Sequence, residues 1–389
     1  MTDRSIDWDP TAPDTVPERF EQMNDMRGRC PVAWNNRHGG EWSLLRYEDV
    51  VATALDPATF SNAGASRYAK PLPPLEFDPP EHGDYRRLVA GFFMPKRIQA
   101  LELRVRQMAI DLIDPLIAQG GGDLAKDLSY PLPALGLCAL LNIEGGHWGE
   151  IKAWSEATLL RDSDDPAERA IADAGHERIL EFGLEMIAER RVNPRDPDDD
   201  VTSTLMAARV NGEAFDDDFI ARALRIFISA GHNSTTSALG NALLFLAEHP
   251  DAQQLLRSEP SRIPAAVEEI LRWETPVQEM PRWAVRDVEI GGRQIKAGER
   301  IALFWAAANR DAEAFPDADQ CILDRKPNRH VAFGQGIHMC LGAPMARMEI
   351  RVALETLLAR SRAFVLAGKP ERARFHRMGV TALPVRIDS

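Results

Sequence analysis

Among the 389 residues, the side chain best placed to do chemistry is Cys340, carried by Val331-Ala-Phe-Gly-Gln-Gly-Ile-His-Met-Cys-Leu-Gly342. Glycines at 334 and 336 let the backbone turn tightly and approach a flat object closely, because they tolerate positive φ and crowding. Gly342 removes bulk where a helical pattern begins. A thiolate at that place would meet backbone N–H groups and a helix N-terminus, both of which favour the anion and a metal-ligand role. A free cysteine is also commonly a small, inert core residue, and residue type alone does not choose between the two readings. The length of Phe-x-x-Gly-x-His-x-Cys-x-Gly carries more information than the cysteine does.

Three other constellations stand out. In Asp78-Pro-Pro-Glu-His-Gly-Asp-Tyr-Arg-Arg87, His82 and Arg86 are four apart and share one helix face, either as a solvated pair or as donors to an anion. In Ala230-Gly-His-Asn-Ser-Thr235, a polar cluster interrupts an apolar helical run. Buried polar groups are costly unless satisfied or used, so this cluster is either local capping or a site. Glu269 and Arg272 stand three apart on a helix face, a spacing with almost no diagnostic value alone.

The elements that must position these residues are mostly helical. The segment 41–47 reads as a short strand and Tyr47–Leu55 as an amphipathic helix, followed by an irregular, proline-bearing surface loop over 62–76. Successive helices are expected from Pro95 to about Arg209, broken at the glycines of 120–122 and 145–146 and at the acidic segment 196–200. Residues 216–249 read as one buried helix of roughly 50 Å, with an acidic start and Pro250 just past its end. A hairpin is predicted over 287–298.

The cysteine loop resembles the haem-binding signature of the cytochrome P450 family, and Pro344, Ala346, Arg347 and Glu349 continue it as that family's proximal helix does. The other motifs follow in the family's order from about Trp42 onward. The resemblance implies a mainly α fold with a small β-rich region, one cytochrome P450 domain over 1–389 with a partly irregular segment at 1–40, and a b-type haem. It implies that Cys340 is the iron ligand and pushes electron density toward oxygen. It further implies that His82, Arg86, Arg282 and His338 hold the haem propionates, that Phe333 and Gly342 complete the cofactor site, and that Gly231, Asn233 and Ser234 line the oxygen side. Asn233 departs from the family's usual acid and Ser234 from its threonine, with Thr235 a substitute one residue further round. Glu269 and Arg272 resemble a structural ion pair bracing the cysteine side, and 378–381 a terminal turn reaching the substrate pocket.

The expected activity is a monooxygenase inserting one oxygen atom from O2 into a small apolar organic molecule, by hydroxylation or oxidative dealkylation. Its expected electron source is a ferredoxin with an NAD(P)H-dependent reductase, docking near Arg97, Arg104, Arg325, Lys326, Arg347 and Arg351. The altered 233–234 pair keeps a peroxide-driven peroxygenase or an isomerase as rivals, beside a non-catalytic haem or ligand binder. A cysteine hydrolase lacks the Gly-x-Cys elbow and third partner it would need.

Composition excludes several classes without choosing a fold. The formal charge of −13 argues against nucleic-acid binding. Cys30, Cys138, Cys321 and Cys340 lack C-x-x-C spacing, which speaks against a zinc ribbon or disulfide framework and suits a reducing cytoplasm. The polar start from Met1 to Arg19 has no apolar anchor, so no membrane attachment is expected, and a monomer is the expected state.

Overall fold

A computed structural model describes residues 5–13, 15–65, 68–144, 146–163, 165–373 and 378–389. The first four residues of the polar start, two positions of the 62–76 loop, and Gly145 of the expected glycine break lie outside the described residues. Helices run in the order α1 (Val16–Arg29), α2 (Tyr47–Leu55), α3 (Glu81–Ala90), α4 (Pro95–Ala118) and α5 (Pro131–Leu140). Next come α6 (Trp148–Ala157), α7 (Pro166–Val192), α8 (Val201–Ala207), α9 (Asp217–Ala230) and α10 (Asn233–Glu248). The chain then passes through α11 (Pro250–Ser258), α12 (Ile263–Trp273), α13 (Trp305–Ala308) and α14 (Ala343–Arg360).

Local chemistry starts these helices where the sequence signals them. Thr15 and Glu18 form a reciprocal cap on α1, with Glu18 accepting from the Thr15 N–H at 3.0 Å. Asp216 accepts from the Phe219 N–H at 2.7 Å and caps α9. Prolines occupy the first turn of α4, α5, α7, α11, α12 and α14, where a missing N–H costs nothing.

The β-rich side is a five-stranded sheet in the order Val32–Asn35, Glu41–Leu44, Arg300–Leu303, Met280–Ala284, Phe60–Ser61. Only the Glu41–Leu44 and Arg300–Leu303 pair is parallel. The predicted hairpin is present as Val288–Ile290 against Arg293–Ile295. Gly121–Asp123, read as a break, instead pairs with Pro384–Arg386, since a chain free to take unusual φ can still supply ladder hydrogen bonds.

One large apolar cluster holds side chains of α4, α5, α9, α10, α12 and α14, among them Val105, Leu132, Leu239, Leu243 and Leu354. A smaller one lies on the sheet around Trp42, Ile301 and Leu303. A third joins Phe20 and Met23 of α1 to Phe304 and to Met378 near the end of the chain. Among the described residues no helix is long and apolar enough to cross a membrane.

The expected single helix over 216–249 is interrupted. Gly231 and His232 separate α9 from α10, and His232 takes φ −130° and ψ −33°. The apolar runs on either side predicted continuity, whereas the small polar residues between them compete for backbone hydrogen bonds and open the helix.

Candidate functional site

The cysteine loop is held by its own backbone. The Cys340 N–H donates to the Phe333 carbonyl at 2.8 Å, closing the loop just ahead of α14. Gly334 and Gly336 have φ of 71° and 75°, as the spacing required. A Cβ at Gly336 would stand 2.4 Å from the Ala54 carbonyl of α2, so the loop is pressed against that helix. At Gly342 a Cβ would lie 3.9 Å from both Cys340 Sγ and Phe93, which leaves the thiol unobstructed on that side. Burial pushes the Cys340 thiol up, opposed by the Gly342 N–H, by Arg86 and Arg347, and by the Ala343 N–H. By accessible surface, however, Cys340 is exposed. The two findings agree if the thiol faces a slot within the fold, and the pattern on α9 and α10 shows such a slot.

Along those two buried helices, Ile226, Ser229, Ala230, Gly231 and Ser234 retain accessible surface, while Phe227, Ile228 and Thr235 are buried. Ile226, Ala230 and Ser234, four apart, form a stripe that crosses the interruption between α9 and α10. A separate cavity of about 250 Å³, lined by Phe245, His249, Trp273, Cys321 and Leu323, includes neither Cys340 nor any residue of this stripe.

Arg86 of α3 acts on the thiol, and around it cluster His82 of α3, Arg282 of the sheet and His338 of the loop. The His82 and His338 rings lie 4.4 Å apart, and Nε2 of each is buried without a hydrogen-bond partner among the described residues. Orphaned buried nitrogens of this kind call for an acceptor. Arg86 Nη2 donates to the Met339 carbonyl at 2.5 Å. Arg282 is buried, and its Nη1 donates to Asn62 Oδ1 at 2.9 Å. Burial lowers its pKa to about 10, with Asp78 opposing. The His338 imidazole is driven down to about 3 by burial and then by Arg282, His82 and Arg86, which places all four groups in one electrostatic neighbourhood. Donors converging on a low-dielectric wall, with no carboxylate hydrogen-bonded to them, fit the two propionates of a haem.

The oxygen side departs from expectation. Ser234 lies on the accessible stripe and its hydroxyl reaches back to the Ala230 carbonyl at 3.5 Å. Asn233 is buried and turned away: its Oδ1 accepts from Lys152 Nζ at 3.1 Å and its Nδ2 donates to Ser155 Oγ at 2.8 Å. Thr235 is buried as well, off the stripe. A Cβ at Gly231 would meet the Phe227 carbonyl at 2.4 Å and Leu137 at 2.9 Å, so close packing there requires glycine.

Glu269 and Arg272 are fully buried and meet at 2.8 and 2.9 Å. Arg272 also donates to the Asn309, Ala318 and Gln320 carbonyls. Arg325, expected on a docking face, instead donates to Glu269 at 3.0 Å with its side chain largely buried. Arg347 pairs with Glu268 at 2.7 Å, Arg351 with Glu102 at 2.5 Å and the exposed Arg97 with Asp199, leaving Arg104 and Lys326 as the exposed members of that set without an ion-pair partner among the described residues. Phe333 packs under the Arg347 guanidinium at 4.3 Å. The terminal turn lies on α10, where a Cβ at Gly379 would stand 2.7 Å from Ser237 Oγ. Sequence reasoning missed Lys152 and Ser155 and placed Arg325 on the surface, because charged and small polar side chains on a helix or loop read as solvated.

The family profile described as Cytochrome P450 matches residues 166–388. An erythromycin C-12 hydroxylase of Saccharopolyspora erythraea is 36% identical over 95% of this chain and 94% of its own. A linalool 8-monooxygenase of Pseudomonas putida is 32% identical over 90% of each. Among solved structures, a mutant of P450 EryK in complex with erythromycin B superposes with a TM-score of 0.87 at 32% identity, covering 96% of this chain and 97% of that one. Motif order, the nitrogen donors beside an accessible thiol and these near full-length likenesses agree, and the chain belongs to the cytochrome P450 family as a bacterial haem-b monooxygenase.

Proposed function

We propose that Cys340 is the axial iron ligand and that His82, Arg86, Arg282 and His338 hold the propionates, in one domain over 1–389. The observation that carries this reading is the pair of orphaned Nε2 atoms, on His82 and His338, with Arg86 and Arg282 next to an accessible thiol. When bound, the haem iron supplies the activation of molecular oxygen. The protein's part is positioning and proton control. Gly342 and Ala343 point N–H groups at the Cys340 sulfur and moderate its charge. The stripe of Ile226 and Ala230 offers an apolar wall to a small organic substrate, and Ser234 is the hydroxyl on that stripe able to hold an ordered water by donating and accepting together.

The reaction is insertion of one oxygen atom into a C–H bond of a small apolar substrate, or dealkylation by the same step. Electrons come from a ferredoxin served by an NAD(P)H-dependent reductase, to a cytoplasmic monomer. Arg104 and Lys326 remain as exposed cations for docking, with Arg97 exposed but paired to Asp199. A peroxide-driven reaction is the second reading, favoured by one observation: Asn233 replaces an acid and is committed to Lys152 and Ser155. Turnover with reduced ferredoxin against turnover with hydrogen peroxide separates the two. On the first reading, Ser234→Ala keeps folding and substrate binding but diverts reducing equivalents into peroxide, read as product formed per nicotinamide consumed. Equal coupling in wild type and variant would favour the second.

A further inference from the structure

Lys152 of α6 is fully buried, and a buried charge is costly unless it is paired and hydrogen-bonded. Nζ donates to Asn233 Oδ1 at 3.1 Å and to Thr236 Oγ1 at 3.0 Å, both in the first turn of α10. Glu156 Oε1 lies 3.7 Å away, one turn along α6, and Nζ sits 4.3 Å from the centre of the Tyr130 ring. Tyr130 in turn donates its hydroxyl to Glu156 Oε2 at 2.6 Å. Ser155 accepts from Asn233 Nδ2 at 2.8 Å and donates to the Ser229 carbonyl at 3.2 Å. One face of α6 therefore grips the last turn of α9 and the first turn of α10, on both sides of the interruption.

The directions of these bonds matter. An ammonium can only donate, so it fixes the Asn233 amide with its oxygen toward Lys152 and its nitrogen toward Ser155. A cation beside a helix N-terminus opposes the helix dipole, so this arrangement is not the cheapest way to fill the space. What it achieves is a choice of side chains. Asn233 and Thr236, three apart, are drawn to α6, and Ser234 between them is left on the accessible stripe.

We propose that Lys152 is a positioning residue for the oxygen side: it holds Asn233 and Thr236 against α6, so that of Asn233, Ser234 and Thr236 only Ser234 is presented to the slot. The proposal rests on the haem reading above. The test uses the haem-loaded protein with Lys152→Met, Lys152→Gln, Asn233→Ala and the Lys152→Met/Asn233→Ala double variant. The infrared stretch of carbon monoxide on the reduced protein reads polar contacts in the slot, and peroxide released per nicotinamide reads coupling. Either Lys152 variant should shift or split the stretch and raise the peroxide share severalfold, because the freed amide can swing inward. In the Asn233→Ala background the same Lys152 change should leave the stretch where Asn233→Ala alone puts it. An unmoved stretch in the Lys152 variants, or an equal shift with and without Asn233, overturns the proposal. Using two Lys152 variants keeps the test alive if one fails to fold. Absence of a thiolate-type carbon monoxide band in the wild type would instead overturn the haem reading itself.

Discussion

On the cysteine side, Glu269 and Arg272 are both fully buried and meet twice, at 2.8 and 2.9 Å, with every further donor of Arg272 taken by a carbonyl. On the oxygen side, the buried Lys152 meets two neutral groups and stands 3.7 Å from a carboxylate that is one-third exposed. The first arrangement is a closed ion pair whose geometry admits no alternative. The second combines two neutral acceptors with a longer ion pair to Glu156 and the Tyr130 ring, and it orients an amide across a broken helix.

Breaking the closed pair should have the largest consequence. Arg272→Ala leaves Glu269 buried, and the loss of a buried ion-pair partner costs about 3–5 kcal/mol. Arg325 still donates to Glu269 at 3.0 Å, which places the expected loss near the lower end, about 3 kcal/mol. Denaturant titration of the haem-loaded variant checks this, and a midpoint equal to wild type would show that the brace is dispensable.

A smaller effect is expected at Arg282, which stands on the sheet and lies in the electrostatic neighbourhood of His338. Replacing it with alanine removes a charge-assisted hydrogen bond worth about 1.5–3 kcal/mol, or roughly tenfold and more in haem retention. Transfer of haem to an apo-haem acceptor measures it. Unchanged transfer would remove Arg282 from the propionate set.

The smallest of these effects is a pH dependence on the outer edge of the cysteine side. Burial alone would raise the Glu268 carboxyl, but hydrogen bonds from His330 and Arg347 overcome it and bring the pKa down from 4.5 to about 2. A carboxyl depressed in the folded state contributes stability that is full above about 4.5 and is lost as pH falls through about 2. The shift corresponds to about 3 kcal/mol at most, since each unit is about 1.4 kcal/mol. Partial exposure of the side chain reduces this to about 1–2 kcal/mol. Glu268→Gln should flatten the acid limb of a stability–pH curve over that interval, and an unchanged limb would show that the pairing carries no linkage.

The two regions also differed in how far the sequence disclosed them. Around Cys340 the glycines at 334 and 336 had to adopt positive φ, and a residue type that permits one unusual backbone is legible without a structure. The start of α9 was legible for a different local reason, since the Asp216 side chain caps its first turn. The break at Gly231–His232 was legible only as a polar cluster interrupting an apolar run, because the side-chain contacts to α6 that flank it are tertiary. Lys152, Ser155 and Glu156 share a face at i, i+3, i+4, which reads as a solvated stripe; only packing against α10 reveals that the lysine is buried. Arg325 was misplaced on the surface for the matching reason, since its partner Glu269 lies 56 residues away.

The account turns on Cys340 as the axial ligand, and the most direct test is the absorbance of the reduced, carbon monoxide-treated protein and of its Cys340→Ser variant. The wild type should show the strongly red-shifted Soret band of thiolate ligation, and the variant should lose it while the far-ultraviolet signature of the helical fold is kept. A variant that retains the red-shifted band, or a wild type that never shows it, would contradict the assignment.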